Sequence, residues 1–509
     1  MMKFYKQFVT LIVVVSLTIV CHGKHFNKNE SVVLKDCSIE HLKLIGQENA
    51  AQPSEIIASF CQLDEIPNAI FLRSSKLKVL EITESHLKRM EDFALNGLNG
   101  LQTLNLSRNN LTQVKIWSDQ NLESLLSLDL RRNSINELQK FAFKRYPNLM
   151  KLNLAVNHIE TIPDDIFKCT PLLKYLNLGK NHLISIDVHT FKYLHKLTAL
   201  ELKHNQIEFI HSDTFVGNTH LKTLHLQANL INTFEQELIS NLPRLMHLNL
   251  SHNLLEELSD ETFEKNMELK SLDISYNKLE IISEFTFKGL EVLEVLNIIK
   301  LIFISYLNSS NNYCRFLQIF NASHNTIKLI DKTMFVDFTN LKHLDFANNF
   351  ITLLPNEIFE SMQLLEFISF SNNSLEQIET SVFQELKKLS VLDLSHNNLS
   401  SDNFMWPIIE LKYVNLTYNT YKHINVSVLE NLVADLYGNP FDCEFIIEEI
   451  NSSASQNIHF GKDYKIKSKG DFLKLPGIKC YEANTGTEHE IIVLEVNRIN
   501  VEEVCCYFI

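Results

Sequence analysis

Glycine and proline are scarce here, at 12 and 10 among 509 residues, and no low-complexity run interrupts the chain. Both absences argue for one continuous architecture over domains strung on flexible linkers. Positive charge is also short. Lys and Arg number 47 against 61 Asp and Glu, so there is no basic excess of the kind that binds nucleic acid. No glycine-rich phosphate loop, no Cys-x-x-Cys and no persuasive nucleophile–base set is present, and "HEII" from His489 lacks the second histidine of a zinc-protease motif. The reading is of a non-enzyme with no catalytic residues, cofactor or metal.

Apolar runs are short as well, apart from the start. Residues 1–23 carry Lys3 and Lys6, then a mostly apolar stretch from Val9 to Val20, then Cys21 and Gly23. That is the pattern of a secretory signal, and the apolar part is short for a spanning helix. Its removal leaves 45 basic against 61 acidic residues, a net charge of 45 − 61 = −16, and eight cysteines. An extracellular, oxidising setting makes disulfides expected. It also opens eleven N-x-[ST] sequons to glycosylation: Asn29, Asn105, Asn110, Asn249, Asn308, Asn321, Asn372, Asn398, Asn415, Asn425 and Asn451.

What the chain does have is a repeated phrase. Asn109, Asn133, Asn157, Asn181, Asn205, Asn229, Asn253 and Asn277 stand 24 residues apart, and Asn325, Asn349, Asn373 and Asn397 continue in the same phase. Around each lies L-x-x-L-x-L-x-x-N-x-[LI], as in "LMKLNLAVNHI" from Leu149. The L-x-L part reads as a short strand with its leucines inward and the residue between them outward. The Asn carboxamide, both donor and acceptor, can satisfy backbone groups where the strand turns. Most repeats place Phe ten residues after the Asn, for example Phe143, Phe167, Phe335 and Phe383, to fill the opposite side.

This phrase resembles the extracellular, 24-residue class of leucine-rich repeat over about residues 77 to 439. The resemblance implies an α/β solenoid, a leucine-rich repeat horseshoe with a parallel sheet on its concave face and disulfide-stapled caps. Four segments follow: a signal (1–23), an N-terminal cap (24–76), the array (77–439) and a C-terminal cysteine-containing cap and tail (440–509). Counting back by 24 from Ser85 reaches Cys61 and then Cys37. Strands about 4.8 Å apart suit the ~4.4–6.8 Å Cα separation of a disulfide, so Cys37–Cys61 is expected to staple the first edge. The period shortens to 22 at Asn419 and 20 at Asn439, and "NPFDCEFIIEEI" follows. That stretch resembles the cysteine-flanked cap of such proteins, which implies Cys443–Cys480. Phe445 stands where the usual pattern has a second cysteine. Cys505 and Cys506 then either bridge to another chain, giving a disulfide-linked dimer, or one of them closes the cap.

One stretch breaks the phrase. Between Asn277 and Asn325 lie 48 residues, two periods, so "LNIIKLIFISYLNSSNNYCRFLQIF" keeps phase while Leu301 takes the Asn slot and Asn311 the Phe slot. A degenerate but folded repeat over Leu293–Phe316 is expected, with "NSSNNYC" looped out; a translated intron that keeps frame and phase, over residues 298–316, is the alternative. His204, His252, His324 and His396 recur just before the Asn, two or more repeats apart. At ~4.8 Å per strand they are too far apart to share an ion, so they read as solvated turn residues.

Function points to the outward positions of the strands. Val295, Ile319, Phe367, Val391 and Tyr413 form an apolar strip, whereas Thr103, Ser127, Lys151 and Thr223 occupy the matching earlier positions. Such a strip is a candidate docking surface. The signal, the long array and the late "EEVCCYFI" resemble insect leucine-rich immune proteins, without the coiled-coil tail of that family. This resemblance implies innate defence and disulfide-linked complexes. The leading expectation is a secreted binding protein with a protein or microbial-surface ligand and no transmembrane span. A cell-surface adhesion or receptor ectodomain and a regulatory subunit of a secreted enzyme fit the same surface.

Overall fold

The computed structural model describes residues 31–47, 53–280, 282–283, 285–301, 315–405, 408, 410–425, 429, 432–442, 445, 458–459, 478–481 and 488–491. The chain divides into two compact units, Met1–Leu254 and Leu255–Ile509. Each is a parallel-sheet solenoid.

In the first unit, parallel strands run from Ser31–Lys35 to His247–Asn249, each residue opposite the one 24 later. Ser31 faces Glu55 and Glu55 faces Val79, so the ladder already begins inside the segment read as the cap. In the second unit, strands run from Ser271–Asp273 to Val433–Asp435, and Ala434 pairs onward with Ile458. The late shortening of the period spares the register: Val391 still faces Tyr413, and Tyr413 faces Val433. The residues dropped come from the return path, not from the strand.

The other side is mostly turns. Among the described residues, helix is confined to short pieces such as Ile39–Gln47 and Gln236–Ser240, with 3₁₀ turns at Ser212–Phe215 and Lys332–Phe335. The α part of the expected α/β class is therefore slight. The strand leucines are buried, for example Leu152 and Leu154 at 0% exposure. Behind them Phe143, Phe167, Phe191 and Phe215 stack ring on ring at 6.0–6.3 Å between centroids. Each such ring contributes about 1.5–3 kcal/mol by leaving water, but only because its neighbour closes the next layer.

The Asn ladder works across repeats. Asn157 Oδ1 accepts from the Ile135 N–H at 3.0 Å, 22 residues back, while its Nδ2 donates to the carbonyls of Leu130 and Leu154 at 3.1 and 2.9 Å. Asn181, Asn205 and Asn229 repeat the pattern. The turn before each Asn is left-handed: φ is 57° at Arg108, 54° at His252 and 53° at His396. An L-residue there costs about 1–2 kcal/mol, which the carboxamide bonds of the following Asn offset.

The edge staple forms as expected. Cys37 and Cys61 are joined, with Cα atoms 4.3 Å apart, and both are buried. The odd stretch keeps its strand: Val295–Asn297 pairs with Ser271–Asp273 on one side and Ile319–Asn321 on the other. Leu301 sits buried in the Asn slot, and its N–H donates to Asn325 Oδ1 at 2.6 Å. Residues 302–314, with Asn308, Cys314 and most of the expected loop, lie outside the described residues. So do the signal segment, Asn29, Cys443, Asn451, Cys505 and Cys506. Cys480 belongs to the strand Ile478–Tyr481, antiparallel to Glu488–Ile491. Phe445, in the slot of the missing cysteine, packs against Phe441 and His423, with each ring centroid 5.5 Å away.

Candidate binding surface

Each strand presents two outward side chains, separated by an inward one. The first row in the second unit is Ser271, Val295, Ile319, His343, Phe367, Val391, Tyr413 and Val433. Strand pairing sets Val295 beside Ile319, Ile319 beside His343, His343 beside Phe367 and Phe367 beside Val391. The five expected strip residues are thus brought onto one row, about 4.8 Å per step. Ile319 is exposed at 39%, and the others are half-buried by their neighbours.

Two members of this row escaped the sequence reading. His343 looks polar in sequence, yet its ring lies flat on Phe367, 4.0 Å between centroids and 7° between planes. Burial lowers its pKa, which keeps the ring neutral and lets it continue the strip. Val433 was hidden by the shortened period. The signal for both was the phase of the strands.

The second row carries acid and amide: Asp273, Asn297, Asn321, Asp345, Ser369, Asp393, Asn415 and Asp435. No Lys or Arg stands at an outward position of these described strands. Burial raises the pKa of both Asp345 and Asp393, against hydrogen bonds from the N–H groups of Ala347 and Ser395, and the charge of Asp393 pushes Asp345 further up. Tyr413 Oη donates to Asp435 Oδ2 at 2.5 Å, tying the two rows together at the far end.

The first unit's face differs. Its rows hold Thr103, Ser127, Lys151, Tyr175, Ala199, Thr223 and His247, with Asp129, Glu201 and His225 beside them. Tyr175 is a larger side chain than the sequence reading credited to this half. The carboxylates here meet basic side chains of their own unit. Arg131 lies 3.3 Å from Asp129, and Lys203 and His225 lie 3.3 and 3.0 Å from Glu201. Burial works against ionisation of Glu201, but His225 and Lys203 outweigh it and hold its carboxyl below the usual range.

The sequons fall into two groups. Asn110, Asn372, Asn398 and Asn425 are exposed. Asn105, Asn249, Asn321 and Asn415 are half-buried on the sheet, and each Oδ1 accepts from the backbone N–H of its own sequon's Ser or Thr at 2.9–3.2 Å. The turn histidines His204, His252, His324 and His396 are exposed, as expected; His396 stacks on Tyr418 at 4.4 Å. Cys169 is a free, half-buried thiol. Among the described residues, no group of three or more His, Cys, Asp or Glu is placed to hold an ion, and no helix is long and apolar enough to cross a membrane.

Comparison with known families and structures bears on this geometry directly. The model of a leucine-rich repeat family, described as "Leucine rich repeat", matches residues 59–111, 75–135, 123–183, 171–231, 195–255, 219–278, 243–299, 315–375 and 347–399. The matches skip residues 300–314, where the phrase fails. A search of curated proteins finds no match. Among solved structures, a leucine-rich repeat protein of Leptospira interrogans is 24% identical with a TM-score of 0.63, over 72% of this chain and 90% of that one. The Toll–Spatzle complex of Drosophila gives 20% and 0.60, over 84% of this chain and 64% of that one. A plant peptide hormone receptor, RGFR1 in complex with RGF2, gives 21% and 0.55, over 79% and 73%. At these identities the likeness is one of fold. With the family matches covering more than half of its length, the chain belongs to the leucine-rich repeat family.

Proposed function

We propose that this chain is a secreted recognition protein that docks a protein or microbial-surface ligand on the outward sheet face of its second unit. The observation that carries the reading is the row from Val295 to Tyr413, apolar side chains held in line by strand register, with a neutral His343 ring filling its middle. An apolar row of this length on an open sheet is more than scattered exposure. The fold is a protein-interaction scaffold, and two of the similar structures are described as complexes, Toll with Spatzle and a hormone receptor with RGF2. The resemblance of the late cysteines to insect immune proteins adds innate defence and a disulfide-linked dimer through Cys505 or Cys506 to the proposal.

Glycosylation would shape the surface. Asn321 and Asn415 lie on the acid–amide row, and glycans there would bracket the strands of His343, Phe367 and Val391. Pull-down from secreted fluid followed by identification of the partner tests the docking. The native chain should recover a partner that Phe367→Asp plus Val391→Asp loses and that Lys151→Asp plus Tyr175→Asp keeps; recovery of the same set by all three would sink the assignment. Non-reducing electrophoresis tests the dimer, since a band unchanged by Cys505→Ser plus Cys506→Ser excludes an intermolecular bridge.

A further inference from the structure

The row of apolar side chains says where a partner would sit, and the row beside it says what that partner carries. Asp345 and Asp393 stand two residues along the strand from His343 and Val391, about 6.7 Å away. Among the described residues they have no ion pair, whereas Asp129 and Glu201 on the first unit's face each have one. The groups around them are few. His324 and His396 lie at the turns and exert a weak pull on Asp345 and Asp393 respectively. Lys342 and Lys412 are exposed just outside the strands and are paired with neither carboxylate. Ser395 and Asn415 donate hydrogen bonds to Asp393 without supplying charge. Half-buried carboxylates with no cation are costly to keep ionised, and a cation brought to them recovers that cost.

We infer that the partner presents a cationic, amphipathic polypeptide segment that crosses the strands of the second unit, its apolar side chains on Ile319, His343, Phe367 and Val391 and its Lys or Arg side chains on Asp345 and Asp393. The inference rests on the docking face proposed above and adds the chemistry of the occupant. A neutral apolar segment would cover the first row while burying both carboxylates unpaired. An acidic one would meet like charge. Desolvated carboxylate–cation pairs at an interface are worth far more than exposed ones, so the discrimination is large.

Three labelled 18-residue peptides test it by fluorescence anisotropy with the full secreted chain: a Leu/Lys amphipathic sequence, the same sequence with Ser for Lys, and the same with Glu for Lys. The Leu/Lys peptide should bind at least tenfold more tightly than the Leu/Ser peptide, and the Leu/Glu peptide should not bind. Asp345→Asn plus Asp393→Asn should bring the Leu/Lys affinity down to that of Leu/Ser. Glu160→Gln plus Asp164→Asn, which removes the same charge from exposed positions of the first unit, should change it less than twofold. Undiminished Leu/Lys binding by the Asp345/Asp393 variant, equal losses in both double variants, or no Leu/Lys binding by the native chain would overturn the inference. Val391→Lys separates the two readings. If it leaves binding of every peptide unchanged the docking face itself is wrong, whereas equal binding of Leu/Lys and Leu/Ser that Val391→Lys abolishes keeps the face and rejects the cationic partner.

Discussion

The two units are built from one phrase, and their sheet faces differ in chemistry. On the first, Asp129 lies beside Arg131 and Glu201 beside Lys203 and His225, and the row alongside them is mixed. On the second, the row is apolar and aromatic, and Asp345 and Asp393 have no ion pair among the described residues. Inward positions are buried and apolar in both, leucine from Leu104 to Leu250 on the first and a mixture that includes Phe320, Ile368 and Val414 on the second. The lesson is that a repeat fixes the scaffold through half of its strand residues and leaves the other half free to differ, so a fold match reports on the first half alone.

The contrast between scaffold and face can be broken most severely at the first edge. Cys37→Ser frees the buried Cys61 and releases a closed loop of 24 residues. A loss of about 3 kcal/mol is expected, visible in urea unfolding of the first unit, with partner capture by the second unit's face retained in the folded fraction. A smaller effect lies within the first face. Glu201→Gln removes the carboxylate that serves Lys203 and His225, at a cost of about 1 kcal/mol at neutral pH. Because the folded protein holds the Glu201 pKa below its unfolded value, this contribution is present above the ordinary carboxylate range. It fades as pH falls through it, so native and variant stability curves should converge toward pH 3.

His343 offers the matching test on the second face. Its pKa is lowered by burial, so the unfolded chain takes up the proton first. Stability is full above the ordinary histidine range and declines as pH falls below about 6.5. His343→Phe should remove that part of the decline and keep the ring stack on Phe367; an unchanged pH profile would show that the ring's environment is not what the strip requires. The smallest effect is expected at Leu301→Asn, which returns a carboxamide to the one buried slot of the ladder that holds leucine between Asn277 and Asn325. Thermal unfolding should shift upward by a few degrees or not at all, and docking should be unmoved.

Phase was the most legible property of this sequence. Register, the Cys37–Cys61 staple, the strand inside the broken stretch and the alignment of Val295 with Tyr413 all follow from counting, since a strand out of phase exposes its whole apolar set. What counting missed depends on side-chain environment. The stacking of His343 on Phe367 and the burial of Asp345 arise between repeats, and residue type alone does not encode them. The left-handed turn before each Asn was also missed, because its occupants (Arg108, Val156, His252, Asn348) share no chemistry. They share only a backbone held by the next carboxamide.

That carboxamide has a mechanical consequence. Asn157 reaches back to Ile135 and Leu130 and is itself spanned by Asn181, whose Oδ1 accepts from the Ile159 N–H and whose Nδ2 donates to Leu154. Each of these coils is thus fastened to its predecessor. Pulled from its two ends, such a molecule should not yield all at once. It should pay out one coil at a time, each releasing 24 residues or about 80 Å of slack, except that the bridge from Cys37 to Cys61 withholds the loop between them.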